Sequence, residues 1–408
     1  MSVNTGVHSG KRIALHGMQH TIARRLVMSL ASSSRDAHER YKTLYKVGEG
    51  SFGMVFRALD RQEGAIVALK RVRLKDTRAL PTGALREIMA LQRLSHPNVL
   101  PLHDMYTHGA SLMLVLPFVP HNLASLLAVR DAPMPEAQSR TLARMLFQGL
   151  AACHAHRLLH RDLKPSNLLI DSRGVLLLAD FGQARLLPAP GETGSLSHDV
   201  ATRWYRAPEL LLGARRYGVG VDLWAAGCIV AQLLSLAPLL PGDSDLGQLF
   251  EVLQLLGTPT EAAWPGLVEL PDYHKVELPA CQPTPLSARL PHATTDALRL
   301  VGALLRYEPT SRLTAAAALC EPWILHPHAA ATAELAPPPP TETSTGASSP
   351  ALAAGPVQQQ QQPPPQQQKL LAYSFPAAPC LETVDGGDDL ENAQAVRRAQ
   401  ALQRRLAA

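Results

Sequence analysis

Between Tyr41 and about Leu325 the chain alternates strand-like and helix-like apolar blocks with short, punctuated polar loops. Met54–Leu59 is rich in β formers and ends at a polar turn, Asp60–Gly64; Ala65–Lys70 reads as the next strand. The longest apolar stretch, Leu112–Val119, is interrupted by Pro117, and Leu168–Ile170 and Val175–Ala179 read as further short strands. Beyond Ala330 the pattern gives way to Pro, Ala, Gln, Ser and Thr, with Pro337–Pro340, Gln358–Gln362 and Gln366–Gln368 as low-complexity runs. Such a stretch cannot bury enough apolar surface to offset the entropy of ordering it, so residues 326–408 are expected to be a disordered tail. Its last part, Leu390–Leu406, has the composition of a short basic helix, although an isolated helix of that length is marginal in water.

Residues 1–40 carry Lys11, Arg12, Arg24 and Arg25 with no acidic residue before Asp36, a balance that a mitochondrial transit peptide shares. Thr21–Leu30 gives only a weak amphipathic signal, which favours a disordered basic arm. The formal charge of +5 is spread along the chain rather than gathered in one block, which argues against a nucleic-acid partner. Cys153, Cys228, Cys281, Cys320 and Cys380 lie far apart with no C-x-x-C pair and no cleavable apolar leader, so neither a disulfide framework nor a zinc site is signalled. The apolar run at 112–119 is far below the roughly 20 residues a bilayer span needs, so no membrane partner is expected.

The first chemical signal is Gly48-Glu49-Gly50-Ser51-Phe52-Gly53-Met54-Val55. Its glycines let the backbone turn sharply and present N–H groups to phosphate oxygens. A dinucleotide-binding fold would start a helix at the third glycine, but the residues that follow are β formers, so the loop joins two strands. Lys70 then ends an apolar run, where a snorkelling edge lysine is the alternative to a phosphate ligand. Strand, glycine loop, strand and Val67-Ala68-Leu69-Lys70 together resemble the opening of a protein kinase. The resemblance implies that Lys70 contacts the α and β phosphates of ATP and that Glu87 is its ion-pair partner on the following helix.

His160-Arg161-Asp162-Leu163-Lys164-Pro165-Ser166-Asn167 carries the resemblance furthest. Phosphoryl transfer needs a carboxylate to orient the hydroxyl and cations to hold spreading charge. Asp162 is the expected carboxylate, Lys164 the nearby cation, and Thr202 joins them in the catalytic set that the resemblance implies. Asn167 and Asp180, the latter in Asp180-Phe181-Gly182, are the expected Mg²⁺ ligands. A lysine two positions after the catalytic aspartate resembles the serine/threonine kinases. His154 and His156 are spaced i,i+2 and share no helical face, so they read as structural or exposed rather than as metal ligands.

Trp204-Tyr205-Arg206-Ala207-Pro208-Glu209 resembles the cyclin-dependent, mitogen-activated and related kinases, which usually act on Ser or Thr followed by Pro. Gly213–Tyr217, Gly220–Trp224 and Leu270–Lys275 narrow the resemblance to the cyclin-dependent branch, near the cell cycle-related kinases linked to cilia and flagella. It implies an α+β, bilobal fold: a small, mostly β lobe over 41–118 and a larger helical lobe over 119–325. It also implies an ATP site of Val47, Gly48, Glu49, Gly50, Ser51, Phe52, Gly53, Val55, Ala68, Lys70, Leu116, Pro117, Val119, Asn122 and Leu169. Ser197 is the implied activation-loop phosphosite, with Arg86, Arg161 and Arg185 to receive the phosphate, and Glu209 is the implied buried partner of Arg312. Expected partners are protein substrates with Ser/Thr-Pro sites, a cyclin-like activator on the helix at Pro81–Glu87 and an upstream kinase; the expected location is cytoplasm and nucleus, extending to the cilium.

Several positions depart from the branch pattern. Phe52 stands where many members carry an inhibitory tyrosine, Gln183 replaces a common leucine, and Gly83 weakens the helix start by up to about 1 kcal/mol. Pro117 at the hinge keeps its carbonyl and loses only its N–H. The rival reading is a kinase-like scaffold without activity; a nucleic-acid binder lacks any motif.

Overall fold

The computed structural model describes residues 38–50, 53–74, 80–188 and 194–326. The arm before His38, Ser51, Phe52 and the tail after His326 lie outside the described residues, as do the expectations placed on them.

The small lobe is an antiparallel sheet of β1 (Tyr41–Gly50), β2 (Gly53–Asp60), β3 (Ile66–Arg73), β4 (Asp104–His108) and β5 (Ser111–Pro117), in the order β1-β2-β3-β5-β4, with helix α1 (Thr82–Leu91) against one face. The unbroken apolar run in β5 follows from burial on both faces. Leu112 and Leu114 pack with Val72, Leu85 and Ile88 under α1, while Met113 and Val115 pack with Tyr41, Val67 and Tyr106 on the other side. Arg40, just outside the boundary expected from sequence, belongs to this lobe: its guanidinium grips Asp60 at 2.9 and 2.5 Å, anchoring the start of β1 to the turn after β2.

Beyond the hinge come β6 (His121–Asn122), α2 (Leu123–Ala128) and α3 (Glu136–Ala155), then β7 (Leu158–Leu159), β8 (Leu168–Ile170), β9 (Leu176–Leu178) and β10 (Arg185–Leu186). The helices α4 (Pro208–Leu211), α5 (Gly220–Ser235) and α6 (Asp245–Leu256) follow, with α7 (Leu286–Arg289) and α8 (Thr295–Leu304) after them. Every residue of α5 from Gly220 to Leu234 is buried, so this helix is the axis of the large-lobe core; an amphipathic stripe would have left one side open to water. One charged residue sits in its first turn: Asp222, 1% exposed.

Among the described residues no helix is long and apolar enough to cross a membrane. Cys153, Cys228, Cys281 and Cys320 are free thiols, the first two buried.

Candidate active site

The cleft between the lobes is built from backbone register before any side chain acts. In the β2–β3 pairing Val55 stands opposite Lys70, and in the β3–β5 pairing Ala68 stands opposite Leu116. Val55, Val119 and Leu169 are partly exposed and pack against the cluster that contains Ala68 and Leu116. Val47, on β1, is half exposed. Gly53, at the turn into β2, has φ +151°, and a Cβ there would lie 2.0 Å from the Arg71 carbonyl oxygen; only glycine permits that approach. Asn122 has a role the sequence did not suggest. Its Oδ1 accepts the Ser125 N–H at 2.9 Å and caps α2 in a capping box.

Lys70 reaches across from β3 to α1. Its Nζ lies 2.8 and 2.7 Å from the two Glu87 oxygens and 3.2 Å from Asp180 Oδ1. Burial works against the Lys70 ammonium, but the carboxylates beside it hold its pKa above the ordinary value. Burial pushes the Glu87 carboxyl up and Lys70 opposes that push; two short contacts to a held cation keep the pair ionic. Burial would likewise raise Asp180, and Lys70 outweighs it, leaving the Asp180 carboxyl below the usual carboxylate range. Helix α1 is therefore in its inward position, packed against the turn at Phe181–Gln183.

The loop 160–167 is held from below. Asp222 accepts the backbone N–H groups of His160 (2.9 Å) and Arg161 (2.8 Å), and His154 Nε2 lies 3.0 Å from its carboxylate. Burial alone would raise the Asp222 pKa; the hydrogen bond to His154 heads the opposing influences, and the net direction is down. Asp222 thus fixes two consecutive peptides around Arg161, whose φ of 67° lies in the left-handed region that side chains rarely adopt. Asp180, at φ 60°, carries the same backbone strain on the facing strand end. His160 joins the two strained points: its Nε2 sits 3.0 Å from the Ala179 carbonyl and its ring packs on Phe181 at 4.7 Å between centroids.

Asp162 points into the cleft with both oxygens engaged. Oδ1 accepts from the Thr202 hydroxyl (3.0 Å) and backbone N–H (3.1 Å), and Oδ2 accepts from Lys164 Nζ (2.9 Å) and Asn167 Nδ2 (3.2 Å). Lys164 also donates to Thr202 Oγ1 at 3.0 Å, closing a triangle among Asp162, Lys164 and Thr202. Asn167 gives its amide nitrogen to Asp162, which leaves its carbonyl oxygen as the acceptor for another group. That oxygen and the ionised Asp180 carboxylate are hard donors that fit Mg²⁺, a cation that completes its shell with water and phosphate oxygens.

The described part of the activation segment runs over residues 194–206. Burial, and then the neighbouring charges of Arg161 and Arg185, lower the pKa of Arg86; burial and Arg161 lower that of Arg185. None of the three has an acidic partner among the described residues, and the buried Nε of Arg86 has no hydrogen-bond partner. Ser197 is exposed. Glu209 and Arg312, 2% and 3% exposed, form the buried two-point pair expected from sequence, at 2.6 and 2.7 Å.

A family pattern described as protein kinase domain matches residues 41–324. This chain is a protein kinase of the cyclin-dependent family. It is 47% identical over 286 residues to mouse cyclin-dependent kinase 20, covering 69% of this chain and 82% of the relative. It is 44% identical over 289 residues to cyclin-dependent kinase 20 of Danio rerio, covering 70% and 83%. Cell division control protein 2 homolog 3 of Trypanosoma brucei brucei is 43% identical over 297 residues, covering 72% of this chain and 94% of that protein. As a protein kinase the chain uses ATP and acts on protein substrates.

Reading the sequence alone missed Asp222, His160, Arg206 and Tyr217. For Asp222 a signal was present: a single carboxylate at the head of the stretch Val221–Leu234, apolar but for Gln232, has to be satisfied by something buried.

Proposed function

We propose that this kinase transfers the γ-phosphoryl of ATP to serine or threonine residues followed by proline. The observation that carries the second half is at Ala201. Its φ is 68°, and its carbonyl accepts from Arg206 Nη2 at 3.0 Å. Ala201 adjoins Thr202, which touches Asp162, so the substrate residue after the acceptor hydroxyl passes beside it. With that carbonyl already engaged, a substrate N–H at this place loses its water without gaining a partner, at a cost of about 1–3 kcal/mol; proline has no N–H to lose.

In this reading Asp162 orients the hydroxyl, Lys164 neutralises charge between Asp162 and the transferring group, and Lys70, held by Glu87, binds phosphate oxygens. Asp180 and Asn167 would hold Mg²⁺, which when bound with ATP neutralises the charge of the phosphates. Val55, Ala68, Leu116, Val119 and Leu169 flank the adenine, and Ser197 is phosphorylated by an upstream kinase. A cyclin-like partner on α1 and action in the cytoplasm, nucleus or cilium follow from the resemblance, and co-purification and imaging of the tagged chain test them.

The experiment is a peptide series differing only at the acceptor and the next residue: Ser-Pro, Thr-Pro, Ser-Ala and Tyr-Pro. Ser-Pro and Thr-Pro should exceed Ser-Ala in kcat/KM by about tenfold or more, the equivalent of one unpaired N–H, and Tyr-Pro should be inert. R206Q frees the Ala201 carbonyl and should narrow the Ser-Pro preference. Equal use of Ser-Ala and Ser-Pro by the wild type would remove the proline-directed reading, and no transfer to any peptide would favour the scaffold.

A further inference from the structure

One hydroxyl, that of Tyr217, links the catalytic loop to the middle of the activation segment. Arg161 donates Nε to the Gln183 carbonyl (2.7 Å) and Nη1 to the Tyr217 hydroxyl (2.9 Å). Tyr217 in turn donates that hydroxyl to the backbone carbonyl of Ser197. One position earlier, the Leu196 N–H donates to the Arg215 carbonyl at 2.8 Å. The flanks are fixed by packing, since Leu196 is 6% exposed and Val200 5% exposed. Of the three clustered guanidinium groups, Arg161 is thus the one already tied to the segment, whereas Arg86 has a buried, unpartnered Nε.

We propose that Tyr217 is a positioning residue for the reaction: its hydroxyl couples Arg161 of the catalytic loop to the Ser197 carbonyl and holds the activation segment before any phosphate is present. The Tyr217 side chain comes from the loop ahead of α5, which Asp222 ties to the same Arg161 through its backbone N–H. A phosphate on Ser197 would reach the arginine cluster from the side-chain direction and make the hydroxyl redundant. Two inputs then serve one output: the tyrosine gives a basal level of order, and the phosphate replaces it. The inference rests on the kinase reading above and on Ser197 as the phosphosite.

The test uses the full chain as wild type, Y217F, S197A and S197A/Y217F, together with wild type and Y217F carrying phosphoserine at 197. Y217F removes only an oxygen, and S197A keeps the carbonyl that the hydroxyl holds. Two readouts are taken: amide hydrogen exchange over residues 194–202, and kcat for a Ser-Pro peptide. In unphosphorylated Y217F the segment should exchange about fivefold faster or more, the size of one hydrogen bond, and kcat should fall in step. S197A should match unphosphorylated wild type, and S197A/Y217F should match Y217F. With phosphoserine at 197, Y217F should equal wild type in both readouts. Unchanged exchange in unphosphorylated Y217F would overturn the proposal, and so would an equal deficit with and without the phosphate, which marks a merely structural tyrosine. If the wild type transfers no phosphate, the kinase reading fails, and the exchange data still judge the coupling.

Discussion

At the scale of single residues, buried charge is tolerated in this protein only where geometry answers it. Arg312 is enclosed by Glu209, by the carbonyls of Gly220, Tyr307 and Arg306, and by the Trp224 ring, with its guanidinium carbon 5.1 Å from the ring centroid. Replacing it with methionine leaves the Glu209 carboxylate buried without a counter-charge. R312M should lose about 3–5 kcal/mol of stability, the cost of breaking a buried pair from one side, read from denaturant midpoints at constant slope. A loss below about 1 kcal/mol would mean that water or another cation reaches Glu209. This pair was legible in the sequence because both partners sit in short, distinctive motifs. Tyr217 was not, because what it does depends on Arg161 and Ser197 meeting in space, 56 and 20 positions away along the chain.

At the scale of elements, the glycine loop and the hinge show how far pattern carries. The strand–loop–strand reading of residues 48–59 agrees with β1 and β2, because β formers and glycines speak about their own backbone. Asn122 was read as a nucleotide contact, yet locally it starts a helix: an Asn three positions before a Ser, facing an apolar run, is also a capping signal. Gly53 ties the loop to β3 by letting the turn approach the Arg71 carbonyl. G53A should therefore force β1 and β2 apart at the loop and raise KM for ATP several-fold, while thermal unfolding of the large lobe stays unchanged. Nucleotide affinity equal to wild type would show that the turn relaxes without moving the phosphate-facing backbone.

For the whole molecule, the lobes meet where three chains of contact converge on a few strained backbone points. Lys70, Glu87 and Asp180 join sheet, α1 and the strand end; His160 joins that end to the catalytic loop; Asp222 joins the loop to the core helix. The motifs at 48–55, 160–167 and 180–182 were legible because each is contiguous, and the family resemblance they carry implied two lobes. What holds them in register was less so: Asp222 and Arg206 bond backbone groups, and these partners, unlike the buried carboxylate itself, leave no mark in residue type. The assembled state is one ready for phosphoryl transfer, and its most direct test is transfer of labelled phosphate from Mg·ATP to a Ser-Pro peptide by the full chain and by D162N. The account predicts transfer by the wild type and a loss of about a hundredfold or more in the variant, the contribution of a positioned base, with unchanged ATP binding. Wild type and variant transferring at the same rate would contradict it.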